Sequence, residues 1–128
     1  MSENVFNPQG FFEAIVSQNA KALQQYFSGD AEIFWYNTNE VFSLSEYIRA
    51  NCEYPGKWQG ELEVSEFTGT KGLLIYRVFD EKIACRCVCF LTLKESLIRK
   101  MEEYWADITP PPSWRQEMKI GAPIKKSR

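Results

Sequence analysis

The sequence predicts an α+β domain in which helices come first and an antiparallel meander of strands follows. Three observations carry this. Phe11, Phe12, Ile15, Val16, Ala20, Leu23, Tyr26 and Phe27 recur at helical spacing near the start of the chain. Ser43, with Glu46 three positions on, has the form of a capping box opening a second helix. The later pattern is strand-like: "ELEVSEFT", "LLIYRVF", "KIACRCVCFLTL" and "LIRKMEEYWA" are separated by "GTKG", "DEK" and "KES", connections short enough for hairpins.

Each element has its own local reason. Asn7-Pro8 reads as an N-cap followed by proline at the first helical position, and Gly29 as the stop. "AEIFWYN", residues 31–37, reads as a strand. Phe42 and Tyr47 flank the capping box as a hydrophobic staple for a helix from about Leu44 to Cys52. "EYPGKWQG" is a turn region. "TPPPS" ends the regular structure, and residues 108–128 are expected to form an extended tail anchored by Trp114 and Ile120. The length of 128 residues, without repeats, fits a single domain spanning 1–128.

Composition narrows the function classes. Lys and Arg number 15 against 17 Asp and Glu, so nothing in the net charge of −2 drives binding to nucleic acid or an anionic membrane. The basic run in "KIGAPIKKSR" reads as solvated tail. No stretch reaches 18 apolar residues and the start lacks the pattern of a signal peptide, so the expected location is cytoplasmic. Aromatic residues make up 15% of the chain, which favours bulky packing or a lined pocket.

The run "ACRCVCF" places Cys85, Cys87 and Cys89 on alternate positions of a strand. Successive same-face residues stand ~6.6 Å apart and the outer pair ~13 Å. Zinc needs its sulfurs ~2.3 Å from one centre, so the outer two cannot share an ion. Histidine is absent from the chain, removing the commonest co-ligand. No metal and no cofactor are expected, and the thiols read as reduced, small hydrophobes. One side of this strand, Ile83 to Leu93 by twos, is wholly apolar; the other carries Ala84, Arg86, Val88, Phe90 and Thr92. Two helices cannot cover both faces. A second copy of the chain is the expected cover for the thiol face, with the C-terminal tail as the alternative.

The element order, ending in "ESLIRKMEEYWAD", resembles the nuclear transport factor 2-like superfamily, which includes SnoaL-like, ketosteroid isomerase-like and limonene epoxide hydrolase-like branches. The terminal "I-x-x-M-E-E-Y-W-A-D" carries it best, and the resemblance spans about Phe11 to Asp107. "NTNEVF", "EYIRANCEYPGKW" and "WRQEMKIGAPIK" resemble a bacterial subgroup with no assigned activity. The resemblance implies a cone: a strongly curved, mostly antiparallel sheet wrapped on the N-terminal helices, enclosing a cavity and dimerising through its outer face. It turns Met101, Glu103 and Trp105 into the cavity. It also turns in Arg86, Val88 and Phe90, then Ile75, Arg77 and Phe79, with Trp35 and Asn37 from the first strand.

That alignment tests the branch chemistries. Ketosteroid isomerase-like catalysis needs a carboxylate base and an acidic donor, but those positions hold Trp35 and Val88. Epoxide hydrolase-like catalysis retains Arg77, Glu103 and Asn37, while its second acid falls at Phe79, beside Asp80, and its tyrosine at Trp35. SnoaL-like and dehydratase chemistry leans on His or Asp in the cavity, and histidine is missing. The expected function is therefore binding of a partly apolar small molecule with an acidic group. The expected site is Trp35, Asn37, Arg77, Arg86, Phe90, Met101, Glu103 and Trp105, in a homodimer joined through the Cys85, Cys87 and Cys89 face. Two alternatives stand: a hydrolase, dehydratase or isomerase with Glu103 catalytic beside Arg77 or Arg86, and a protein-interaction module.

Overall fold

The computed structural model describes residues 5–124. Helices α1 (Pro8–Ser17) and α2 (Ala20–Gln24) lead into strands β1 (Phe27–Trp35) and β2 (Glu40–Ser43) and helix α3 (Leu44–Cys52). The meander follows as β3 (Gln59–Thr68), β4 (Lys71–Phe79), β5 (Ala84–Lys94) and β6 (Leu97–Asp107). A short helix α4 (Ser113–Glu117) lies in the tail. The six strands form one sheet in the order β2-β1-β6-β5-β4-β3, antiparallel throughout except where β1 runs parallel to β6.

Local chemistry places the helices. The Asn7 side chain accepts from Gly10 N at 3.1 Å and Pro8 occupies the first turn, so α1 starts where the sequence predicts. The helix does not run on to Gly29. Gln18 turns left-handed at φ 56°, and Asn19 caps α2 by accepting from Ala22 N at 3.1 Å. At α3 the capping box is complete: Ser43 Oγ accepts from Glu46 N, and Ser43 N donates to Glu46 Oε1. Gly60 lets α1 sit close on β3, because an added Cβ would meet Phe12 Cζ at 2.6 Å and Arg77 O at 2.9 Å.

The helices bury one face of the sheet. Phe11, Phe12 and Ile15 from α1, Leu23 from α2 and Tyr47 from α3 join Ile33, Leu74, Tyr76, Leu91, Ile98 and Met101. Each large apolar side chain so enclosed contributes about 1.5–3 kcal/mol. Cys87 and Cys89 belong to this core, both fully buried and free. This corrects the expectation that the thiol face lies outside against a second copy.

One residue accounts for the reversal. The β5–β6 hairpin pairs Lys94 with Leu97 and Leu93 with Ile98 around a two-residue turn, Glu95 and Ser96, both at positive φ. The next pair is Thr92 with Lys100, which leaves Arg99 as a bulge. Beyond it Cys89 faces Glu103 and Cys87 faces Trp105. Directly opposed residues share a face. Without the bulge, Val88 would face Glu103 and Arg86 would face Trp105, as the sequence alone leads one to expect. A shift of one residue turns a whole strand over.

The tail also departs from expectation. It contains one helical turn, and Trp114 and Ile120 are exposed rather than anchoring. Among the described residues no helix is long and apolar enough to cross a membrane.

Candidate functional site

Glu103 is the one charged-type side chain in the core among the described residues, with no exposure at all. Its parity on β6 puts it on the helix-covered face, opposite Cys89 and beside Tyr76 of β4. Three neutral donors hold it. Tyr76 OH donates to Oε2 at 2.6 Å, Trp35 Nε1 to Oε1 at 2.8 Å and Trp105 Nε1 to Oε1 at 3.2 Å. Burial pushes the Glu103 carboxyl above its ordinary pKa, against the opposing pull of the Tyr76 and Trp35 hydrogen bonds. Burial likewise pushes up the Tyr76, Cys87 and Cys89 pKa values.

The two tryptophans that donate to Glu103 also wall a cavity of about 330 Å³. Ile15 and Val16 of α1 and Val78 of β4 supply apolar surface, and Trp58 adds a third indole. The polar lining is Gln18, Asn37, Thr38, Asn51 and Tyr54, with the Cys85 thiol at its edge. Local structure fixes them. Gln18 Nε2 donates to Asn51 O and Tyr54 O at 2.9 and 2.6 Å, tying the break between α1 and α2 to the end of α3. Asn51 Nδ2 donates to Ile15 O at 3.1 Å, and Asn37 Oδ1 accepts from Trp105 N at 2.6 Å. The cavity lies at the low end of the usual ligand-site range of about 300–1,000 Å³.

The expected site residues divide. Trp35, Asn37 and Trp105 line this cavity together. Met101 and Glu103 lie on the same face but are sealed beneath it. Arg77, Arg86 and Phe90 stand on the opposite face, a correction that follows from the Arg99 bulge. There Arg77 Nη2 meets Glu61 at 2.8 Å, and Arg86 bonds both oxygens of Glu63 at 2.8 and 3.1 Å. Glu63 reaches that position from a second bulge, where the pairing of β3 with β4 shifts between Leu62 and Val64. The half-constellation of Arg77 with Glu103 is therefore split across the sheet. Phe90 is exposed, its ring 6.4 Å from that of Tyr104.

Sequence reasoning misses Tyr76, Val78, Gln18 and Asn51. Tyr76 and Val78 fall on the wrong side with the rest of β4 when the bulge is overlooked. The pair Gln18-Asn19 carries a legible signal, since asparagine before "AKAL" is a helix cap. Cys85 sits at the cavity edge and contacts Asp107 Oδ1 at 3.4 Å. Among the described residues no group of three or more His, Cys, Asp or Glu side chains is placed to hold a metal.

Comparison with solved structures agrees on the architecture. A proposed ketosteroid isomerase from Kribbella flavida superposes with a TM-score of 0.78 at 20% identity, over 94% of this chain and 90% of that one. A nuclear transport factor 2-like protein of unknown function from Burkholderia xenovorans gives 0.73 at 15%, over 86% and 88%. A protein from Catenulispora acidiphila with a ketosteroid isomerase-like fold, solved in complex with trimethylamine, gives 0.63 at 11%, over 76% and 82%. No protein-family profile matches the sequence, nor does any curated protein. The chain has the nuclear transport factor 2-like fold, a curved α+β sheet with its helices on one face.

Proposed function

We propose that this protein binds a small, largely apolar molecule in the tryptophan-walled cavity. The single observation that carries this is the cavity itself: three indoles and five aliphatic side chains around about 330 Å³, with Gln18, Asn37, Thr38, Asn51, Tyr54 and Cys85 as its neutral polar residues. The trimethylamine held by the Catenulispora acidiphila protein is a precedent for a small ligand in this fold. The acidic ligand group expected from the sequence loses its support, because Arg77 and Arg86 are paired with Glu61 and Glu63 on the far side of the sheet.

A catalytic Glu103 is the second reading. Burial favours it, since a carboxyl lifted above its ordinary pKa suits proton transfer near neutrality. Trp35 and Trp105 stand between it and the cavity, so catalysis requires those side chains to swing aside. The interaction-module reading predicts a plugged cavity and is not favoured by an open one. A homodimer remains part of the proposal, with its seam moved to the outer face of the sheet. Phe34, Tyr36, Tyr104 and Phe90 form a chain of ring contacts there.

Titration of tryptophan fluorescence with cyclohexylmethanol, cyclohexylmethylamine and cyclohexanecarboxylate tests the binding reading. At least one should give a saturable change in the wild type. Val78→Trp fills the cavity from β4 and should weaken that ligand at least tenfold while far-UV circular dichroism stays unchanged. No saturable response to any of the three, or equal affinity in the variant, sinks the proposal.

A further inference from the structure

The cavity's polar groups are not an even mixture of donors and acceptors. Both hydrogens of the Gln18 amide are used on the carbonyls of Asn51 and Tyr54. Asn51 uses its amide hydrogens on Ile15 O and on Cys52 Sγ. Backbone carbonyls accept and never donate, so these contacts also fix which end of each amide is nitrogen. Gln18 and Asn51 have only an acceptor oxygen left for a ligand. Thr38 donates its hydroxyl hydrogen to Glu40 Oε1 at 2.6 Å and so also retains acceptor capacity alone. Asn37 and Tyr54 differ: the Asn37 oxygen is engaged by Trp105 N, leaving an amide donor, and the Tyr54 hydroxyl can donate or accept.

A second observation points the same way. No Lys, Arg, Asp or Glu lines the cavity among the described residues, yet a carboxyl group lies directly behind two of its walls. The indole N–H groups of Trp35 and Trp105 both converge on Glu103 Oε1. A carboxylate accepting from an indole N–H pushes electron density into the ring. That strengthens the attraction of the aromatic system for a cation, and the carboxylate's own field adds to it across a dry interior. The titratable groups around Glu103 are Tyr47 of α3, Tyr76 of β4 and Cys87 and Cys89 of β5, all with pKa values pushed up by burial. They stay neutral through the physiological range and do not cancel that field. The arginines that could do so point the other way.

We infer that the cavity selects a protonated amine carried on an apolar body. Its N–H groups meet the acceptor oxygens of Gln18, Asn51 and Thr38 with the charge beside the faces of Trp35 and Trp105, and its hydrocarbon lies against Ile15, Val16 and Val78. This rests on the binding reading above and specifies its ligand class. A neutral alcohol of the same shape keeps the apolar contacts and one hydrogen bond but gains nothing from Glu103. A carboxylate of that shape meets acceptors with acceptors and is repelled by Glu103.

Isothermal titration at pH 8 and low salt compares cyclohexylmethylamine, cyclohexylmethanol and cyclohexanecarboxylate on the wild type. The amine, with a pKa of about 10, remains charged there. It should bind at least tenfold tighter than the alcohol, and the carboxylate should bind more weakly than the alcohol. The amine-to-alcohol ratio should rise with pH over a series from pH 5 to 9, because only a deprotonated Glu103 attracts the cation. In Glu103→Gln that ratio, taken within the variant so that a general loss of affinity divides out, should fall at least threefold. Should the variant fail to fold, the wild-type pH series decides. Alcohol or carboxylate binding as tightly as amine overturns the inference while leaving the cavity a binding site. A ratio indifferent to both pH and Glu103→Gln also overturns it. If none of the three binds, the binding reading falls and this one with it.

Discussion

At the residue scale the molecule turns on Glu103. A carboxyl without exposure needs its lone pairs engaged, and Tyr76, Trp35 and Trp105 engage them without any cation nearby. The consequence for stability has a definite sign. Because its pKa is raised in the folded chain, the folded state holds the Glu103 proton more tightly than the unfolded state does. Its contribution is greatest below the unfolded value of about 4.3 and is lost as pH rises through the folded value. Chemical denaturation of wild type and Glu103→Gln from pH 4 to 8 should therefore show wild type losing ground to the variant as pH rises. That loss amounts to about 1.4 kcal/mol for every pH unit separating the folded from the unfolded pKa. A stability difference that grows with pH in favour of wild type contradicts this. Glu103, Trp35 and Trp105 are legible in the sequence through the "MEEYWAD" ending and the first strand, because their side depends only on their own strand. Arg77 and Arg86 are not, because their side is inherited from β6 through pairing.

At the scale of elements, the reversed strands have one source. The capped starts of α1 and α3, the four meander strands and their short turns follow from local chemistry and are legible in sequence. A bulge has no such local mark here. Arg99 is neither glycine nor proline, and nothing in "SLIRKM" distinguishes it from a paired residue. In the fold it lies beside another irregularity, where β1 shifts register between Phe27 and Glu32. Ser28 donates to Asp30, and Arg99 meets Asp30 at 3.5 Å. The extra residue, rather than its charge, sets the face. Arg99→Ala should cost less than about 0.5 kcal/mol, since the pair is largely exposed. Deleting Arg99 takes out only the unpaired residue and leaves Thr92 opposite Lys100 and Cys89 opposite Glu103, so Glu103 keeps its socket. The deletion variant should therefore retain cooperative thermal unfolding and near-UV ellipticity. A deletion variant that loses both would show that residue 99 does more than shift the register.

At the scale of the whole molecule, the outer sheet face carries the question of assembly. Tyr36, in the turn after β1, Phe90 of β5 and Tyr104 of β6 are each more than a third exposed, and their rings meet in succession. Exposed aromatic surface of this kind favours self-association. Two carboxylates placed into such a seam should oppose it strongly. Phe90→Glu with Tyr104→Glu is expected to convert a dimer to monomer in analytical ultracentrifugation at micromolar concentration, with circular dichroism unchanged. A wild-type protein that sediments as a monomer, or a variant that remains dimeric, would remove the seam from this face.

The two sides of the cavity differ in what they cost to alter. Its deep wall is shared with the core, where Trp35 and Trp105 also bond Glu103. Its rim is drawn from connections: Asn37 and Thr38 after β1, Trp58 before β3, and Ile83 before β5. Exchanging Thr38, Trp58 or Ile83 disturbs neither a ladder nor a buried carboxyl, so selectivity can drift among descendants of this scaffold while the core stays as it is. Related chains should thus differ most in appetite where they differ least in architecture.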